Sequence, residues 1–120
     1  MNAKKFLEKY RKAWEKADAE LAASLFTRDA VYQETPFCTP VVSRDAIRAY
    51  WHRARRNLKD VKFIFRQPLV QGNALVTEWT CSFTHASSGK RRELRGVLLA
   101  RFKGEQARTI RQYWHQRQLA

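Results

Sequence analysis

From Lys4 to Lys16, apolar residues recur every three or four positions, so that Phe6, Leu7, Tyr10, Ala13, Trp14 and Ala17 share one face. That spacing predicts an amphipathic helix with the shared face buried. Asp18 is a capping residue type, and Leu21, Ala22, Leu25 and Phe26 behind it predict a short second helix. The pattern then changes. Ala30 to Thr35 reads as a strand, with Val31, Tyr32 and Thr35 suited to a pleated surface and Glu34 set among them. Pro36 and Pro40 end it, because proline has no N–H for the ladder and restricts the residue before it. Ser43 follows as the cap of a third helix carrying Ile47, Tyr50, Trp51, Ala54 and Leu58 on one face. A strand carboxylate facing an aromatic helix across a tight loop can form one wall of a pocket.

Beyond Leu58 the period is two. Phe63 and Phe65 alternate with Lys62, Ile64 and Arg66 in a strand predicted from Val61 to Val70, bent or bulged at Pro68. Gln71-Gly72-Asn73 is a turn, so a hairpin leads into a strand from Ala74 to His85. A second turn, Ala86 to Lys90, leads into a long strand from Glu93 to Lys103, and Gly104-Glu105 turns the chain into a last strand through Gln116. Three helices, one strand between the second and third, and strands thereafter predict an α+β fold with a largely antiparallel sheet. No internal repeat, linker or low-complexity segment interrupts the pattern, so residues 1–120 are expected to be a single domain.

Composition supports this reading. A chain of 120 residues can bury a core but has no room for a second domain. At 44% apolar and 12% aromatic residues, it can bury enough surface to offset its conformational entropy. No apolar run approaches the roughly 18 to 20 residues of a membrane span, and the N-terminus lacks a signal peptide's apolar core. A cytoplasmic protein without membrane association is the expectation. Cys38 and Cys81 make neither a metal-ligand spacing nor a disulfide framework, and both are expected to be reduced. His52, His85 and His115 have no short ligand spacing either, so neither a metal nor a cofactor is expected.

Charge changes the picture more. Twenty-four Lys and Arg residues stand against 11 acids, a formal net charge of +13, with a pI near 10.5. Such a balance invites a nucleic-acid reading. The basic residues are spread along the chain, however, with clusters only at Arg53-Ala54-Arg55-Arg56 and Lys90-Arg91-Arg92. The first cluster ends a helix, where cations are favoured in any case, and the second lies in a turn, where charge is usually solvated. Nucleic-acid binding stands as the last of three readings.

The element order, and the phrases LFTRDAVYQETPF, DAIRAYW and GVLLARFKGEQARTIRQYW, resemble the nuclear transport factor 2-like superfamily in its SnoaL-like bacterial branch. The resemblance covers essentially the whole chain. It implies a cone-shaped NTF2-like (cystatin-like) α+β fold, in which a strongly curved sheet wraps around three N-terminal helices. The open end of the cone is commonly a pocket, and many members are homodimers through the outer face of the sheet. Members include isomerases, dehydratases, polyketide cyclases, epoxide hydrolases and non-catalytic transport or assembly modules, so the fold alone does not fix function.

Ketosteroid isomerase gives the sharpest residue-level comparison. Matching EKYRKAW and DAVYQE to its pattern puts Tyr10 on an oxyanion-binding tyrosine and Glu34 on the proton-moving carboxylate. Its third group, a protonated aspartate, falls near Leu98, which cannot donate a hydrogen bond. By periodicity alone, Leu75, Thr77, Trp79, Cys81 and Phe83 should be buried and Val76, Glu78, Thr80, Ser82 and Thr84 wet. The family register instead turns Glu78, Thr80 and Ser82 inward and leaves Trp79 and Phe83 outside, and that facing is the expectation. Glu78 is then a second pocket carboxylate, and paired carboxylates push their pKa values apart. The same comparison turns Ile110, Gln112 and Trp114 toward the pocket, with Trp14, Tyr50, Thr80 and Leu98 as further lining residues.

Each assignment has a plainer competitor. Glu34 and Glu78 can be exposed or paired with arginines of this basic chain, and such a pair lowers a carboxylate's pKa and blunts it as a base. Tyr10, Gln112 and Trp114 can be ordinary core residues whose polar atoms bond locally. Two readings therefore lead. One is acid–base chemistry by Glu34 or Glu78 on a small apolar substrate, such as isomerisation, dehydration or cyclisation. The other is a non-catalytic ligand-binding or protein-association module. A homodimer is expected from the outer face, where Trp79, Cys81, Phe83, Val97 and Leu99 would form an apolar stripe.

Overall fold

The computed structural model of the chain describes Met1–Ala120. Asn2 accepts a hydrogen bond from the Lys5 amide and starts α1 (Ala3–Lys16), which buries Phe6, Leu7, Tyr10, Ala13 and Trp14, the face that the spacing predicts. Asp18 caps α2 (Ala19–Ser24), and Ser43 caps α3 (Arg44–Arg55) by accepting from Ala46. The strands are β1 (Phe26–Gln33), β2 (Val41–Val42), β3 (Leu58–Phe65), β4 (Leu69–Gln71), β5 (Ala74–His85), β6 (Arg91–Lys103) and β7 (Gln106–Leu119). They form one sheet in the order β2-β1-β7-β6-β5-β3, with β4 paired to β5 beyond the end of β3. Only β1 and β7 run parallel; every other pair is antiparallel. This is the α+β cone, with the helices against the inner face of a curved, open sheet. No helix is long and apolar enough to cross a membrane.

Several boundaries move where tertiary pairing overrides local pattern. Leu25 and Phe26 leave the second helix, because the Leu25 carbonyl accepts from Ala107 at 2.8 Å and Phe26 opens β1. Leu58 leaves the third helix to pair with His85. The single bent strand expected from Val61 to Val70 is two strands, broken across Arg66-Gln67-Pro68, and both pair with β5.

The facing of β5 is the main correction. Trp79, Cys81 and Phe83 are buried with the core, whereas Glu78 is exposed and Thr80 and Ser82 are partly so. Trp79 stacks on Phe63 at 5.4 Å, and Phe63 stacks on Trp14 of α1 at 5.8 Å, so Trp79 points toward the helices. The ladder explains why. Leu98 pairs with Thr77, and Gly96, two residues away on the same face, pairs with Trp79. An inward Leu98 therefore requires an inward Trp79. The family register is off by one residue on β5, and such a slip flips every side chain. Leu98 does face inward, which leaves Val97 and Leu99 on the outer face with Val76, Glu78 and Thr80.

Candidate functional site

The inner face of the cone is built from aromatic side chains around a small set of polar groups. Tyr10 and Trp14 arrive from α1, Tyr50, Trp51 and Arg55 from α3, Tyr32 from β1 and Gln112 from β7. Glu34 follows β1, two residues beyond Tyr32. Trp51 meets Tyr10 and Trp14 at 5.6 Å each in edge-on contacts, and Tyr32 at 5.9 Å. Edge-to-face pairs of this kind add to the stabilisation from area burial.

The polar groups form one connected chain. The amide nitrogen of Gln112 donates to the Tyr10 hydroxyl at 2.5 Å and to the Tyr32 hydroxyl at 3.1 Å. The Tyr32 hydroxyl donates to a Glu34 carboxylate oxygen. Arg55 Nη2 donates to the Tyr32 hydroxyl and pairs with the Glu34 carboxylate, both at 3.2 Å. Trp114 Nε1 donates to the Glu34 backbone carbonyl at 2.7 Å. The Arg55 side chain is 4% exposed and that of Glu34 13% exposed, so the carboxylate is where this ion pair meets solvent.

Electrostatics follow from burial. Desolvation pushes the Tyr10 phenol well up, and the nearby Glu34 charge pushes it further. Tyr32 is raised for the same two reasons, burial first. Burial opposes the Arg55 charge, but Glu34 together with Tyr32, Tyr10 and Tyr50 more than offsets it, and the guanidinium is held charged. Both phenols are therefore hydrogen-bonding neutral groups over the working pH range.

Trp14, Leu98 and Gln112 are buried, Tyr50 and Trp114 are partly buried, and Glu34 and Trp114 are joined by a hydrogen bond. Tyr10 has the local partner that its plainer reading requires, since Gln112 occupies its hydroxyl. Glu34 has the arginine that its plainer reading requires. Glu78 and Thr80 are on the other side of the sheet, and Glu78 is not a second carboxylate of this site. The expected open pocket is filled by Arg55. The largest apolar groove, about 470 Å³, instead lies along the outer sheet and is lined by Leu69, Val70, Val76 and Leu99 among others.

Arg55, Tyr32 and Trp51 are site residues that pattern reading does not pick out. In the sequence, Arg55 belongs with the charges at the end of the third helix. The available signal is spacing, since Ile47, Trp51 and Arg55 recur at i, i+4 and i+8 and are the three buried residues of α3. Tyr32 shares a strand face with Glu34 at i, i+2. His52, His85 and His115 lie on separate elements, and no group of three or more His, Cys, Asp or Glu side chains is placed to hold a metal ion.

Comparison with known proteins agrees with this architecture. The family described as SnoaL-like domain matches residues 7–110. No curated protein matched the sequence. Among solved structures, a Catenulispora acidiphila protein with a ketosteroid isomerase-like fold, in complex with trimethylamine, is 16% identical with a TM-score of 0.81, covering 90% of this chain and 83% of its own. The epoxide hydrolase/cyclase-like enzyme SalBIII, of pyran ring formation in the polyether salinomycin, is 15% identical with a TM-score of 0.81, covering 93% and 89%. An M. tuberculosis LEH-like epoxide hydrolase is 14% identical with a TM-score of 0.78, covering 92% and 80%. At these identities the likeness is one of fold.

Proposed function

The chain belongs to the family of SnoaL-like domains, and from that premise we propose that it acts on a small, largely apolar molecule at Glu34 by acid–base chemistry. One observation carries this reading: the Glu34 carboxylate ends a buried chain of phenols, amide and guanidinium at the point where that chain reaches solvent, between Tyr50 and Trp114. Glu34 would move the proton. Tyr32, which already donates to Glu34, would return or relay it. Tyr10 and Gln112 would fix Tyr32, and Tyr50, Trp14, Trp114 and Leu98 would give the apolar body its walls. Two enzymes of similar fold are described as epoxide hydrolases or cyclases, so small epoxides join ketone isomerisation, dehydration and cyclisation among the reactions to screen.

The test is a turnover screen over those substrate classes with the wild-type protein and Glu34→Gln. Positioned acid–base groups typically contribute about 10² to 10⁴ in rate, so the variant should lose at least about a hundredfold. Turnover that survives Glu34→Gln would remove Glu34 from the mechanism. Binding without turnover of any class would favour the second reading, a non-catalytic binding module. That reading has its own supports: in the ketosteroid isomerase comparison Leu98 falls where a hydrogen-bond donor would be needed, and Arg55 holds Glu34 in an ion pair.

We also propose a homodimer through the outer sheet face, on a basis different from the Trp79 stripe. Ile64 and Tyr113 are exposed there beside Val76, Val97 and Leu99. Contiguous exposed apolar surface tends to attract a partner, and a twofold pair would cover both copies. Light scattering at moderate salt should give twice the 14.2 kDa chain mass, and the mass of one chain would refute it.

A further inference from the structure

Arg55 is the one charged side chain enclosed by the aromatic core, and its surroundings suit a cation in general more than a guanidinium in particular. Its Cζ lies 3.9 Å from the Trp14 ring centroid, 4.2 Å from that of Trp51 and 6.0 Å from that of Tyr50. The two indoles meet at 70°, so they form two walls of a corner. A cation within about 6 Å of an aromatic face is attracted by the ring quadrupole, most strongly by tryptophan. The Glu34 carboxylate closes the corner at 3.2 Å as counter-charge. The fit of the guanidinium is nevertheless incomplete. Its hydrogen bonds to Tyr32 and Glu34 all leave from Nη2, while Nε is buried with no partner. Charge and ring faces hold this group, and any small organic cation would feel both, including one with no N–H to satisfy.

We propose that the space between Trp14, Trp51, Tyr50 and Glu34 is a cage for a small organic cation, such as an alkylammonium or guanidinium head group, and that Arg55 is an internal occupant which such a ligand displaces. The proposal rests on the reading of the cone as a small-molecule site and adds a ligand class: an apolar body carrying a cationic head. Exchange is feasible because it conserves charge. An empty cage would leave the largely covered Glu34 carboxylate without its cation, which is costly, whereas an incoming cation gives it a new partner. Arg55 is the last residue of α3, and helix ends fray, so one opening turn can withdraw it. The chain's net charge of +13 opposes an approaching cation only weakly, because salt screens exposed charges beyond about 8–10 Å.

The experiment titrates tetramethylammonium chloride against the wild-type protein, Arg55→Ala and the double variant Arg55→Ala/Glu34→Gln, with sodium chloride at equal ionic strength as reference. Tryptophan fluorescence and thermal shift are the readouts. The wild type should bind saturably but weakly, because Arg55 competes. Arg55→Ala should bind at least about tenfold tighter, since the internal competitor is gone. The double variant should lose most of that gain with its counter-charge. If Arg55→Ala does not fold in sodium chloride, recovery of its native spectrum in tetramethylammonium supports the cage equally. The proposal is overturned if Arg55→Ala responds no more to tetramethylammonium than to sodium. It is equally overturned if wild type and variant bind alike, or if the wild type binds nothing where the variant saturates. Turnover plays no part in these readouts, so failure of the cage leaves the Glu34→Gln activity test standing, and the reverse also holds.

Discussion

Gly96→Ala should destabilise the protein through a single methyl group. Gly96 lies on β6 between Trp79 of β5 and Trp114 of β7, its ladder partners on either side. A Cβ there would collide with the Tyr113 carbonyl oxygen and come within 2.5 Å of Trp114 Cβ and 2.9 Å of Trp114 Cα. Two of those atoms belong to the backbone and none is the tip of a flexible side chain, so β6 and β7 would have to part locally. Overpacking of this kind costs about 1–3 kcal/mol. With an unfolding entropy of roughly 2.1 cal/mol/K per residue, a 120-residue chain should melt about 4–12 °C lower. The site should register the change as well, because Trp114 Nε1 holds the Glu34 carbonyl at 2.7 Å. Circular-dichroism melting gives the first quantity, and the Trp114 indole N–H resonance in a ¹H–¹⁵N spectrum reports the second. A melting temperature within about 1 °C of wild type would mean that the strands are not packed as closely at Gly96 as described, and the placement of Trp114 would fall with it.

The two cysteines should separate cleanly: a thiol reagent at pH 8 should label exposed Cys38 alone in the native protein and both cysteines after denaturation. Native labelling of Cys81 would contradict the inward facing of β5. Burial pushes the Cys81 thiol from 9.0 up to about 12, so its contribution to stability is complete below pH 9 and is lost as pH rises from there toward 12. Urea melts at pH 7 and pH 10 should therefore show a loss, of which roughly 1.4 kcal/mol disappears in Cys81→Ala, and an equal loss in that variant would refute the assignment. The raised phenols of Tyr10 and Tyr32 act in the same direction and keep some alkaline loss in both proteins.

Periodicity reads the fold well and the site unevenly. The α1 face, the α3 cap at Ser43 and the span of β5 are all visible in local pattern, because each depends on spacing within a few residues. The facing of β5 is visible too: alternation alone buries Trp79 and exposes Glu78, as observed, and only the transferred register reverses it. That register puts Leu98 and Trp79 on opposite faces although their strands pair antiparallel. No local pattern reveals that pairing, because the ladder joins residues some twenty positions apart. The arginine that fills the cone is hidden for a different reason. A cationic residue at a helix end has an adequate local explanation in the helix dipole, and burial among three aromatic rings is a tertiary fact.

The filled cone raises the question of why such a core carries charge at all. A buried ion pair is often no better for stability than well-packed apolar side chains of similar volume, because desolvation consumes most of the attraction. Here the polar set is, in addition, not self-sufficient. Trp14 Nε1, Trp51 Nε1, Arg55 Nε and Gln112 Oε1 are all buried without a protein partner. Each such atom costs on the order of 1–3 kcal/mol when left unpaired, a large share of what a domain this size can spare. A network kept only as a structural brace would be expected to satisfy its own donors and acceptors, since half-satisfied networks are worse than an apolar core. Three of these atoms are donors and one is an acceptor, and they surround the guanidinium and the tyrosine pair. Such a set is expected where polar groups serve something other than bracing, and the cation titration and the Glu34→Gln screen test that expectation separately.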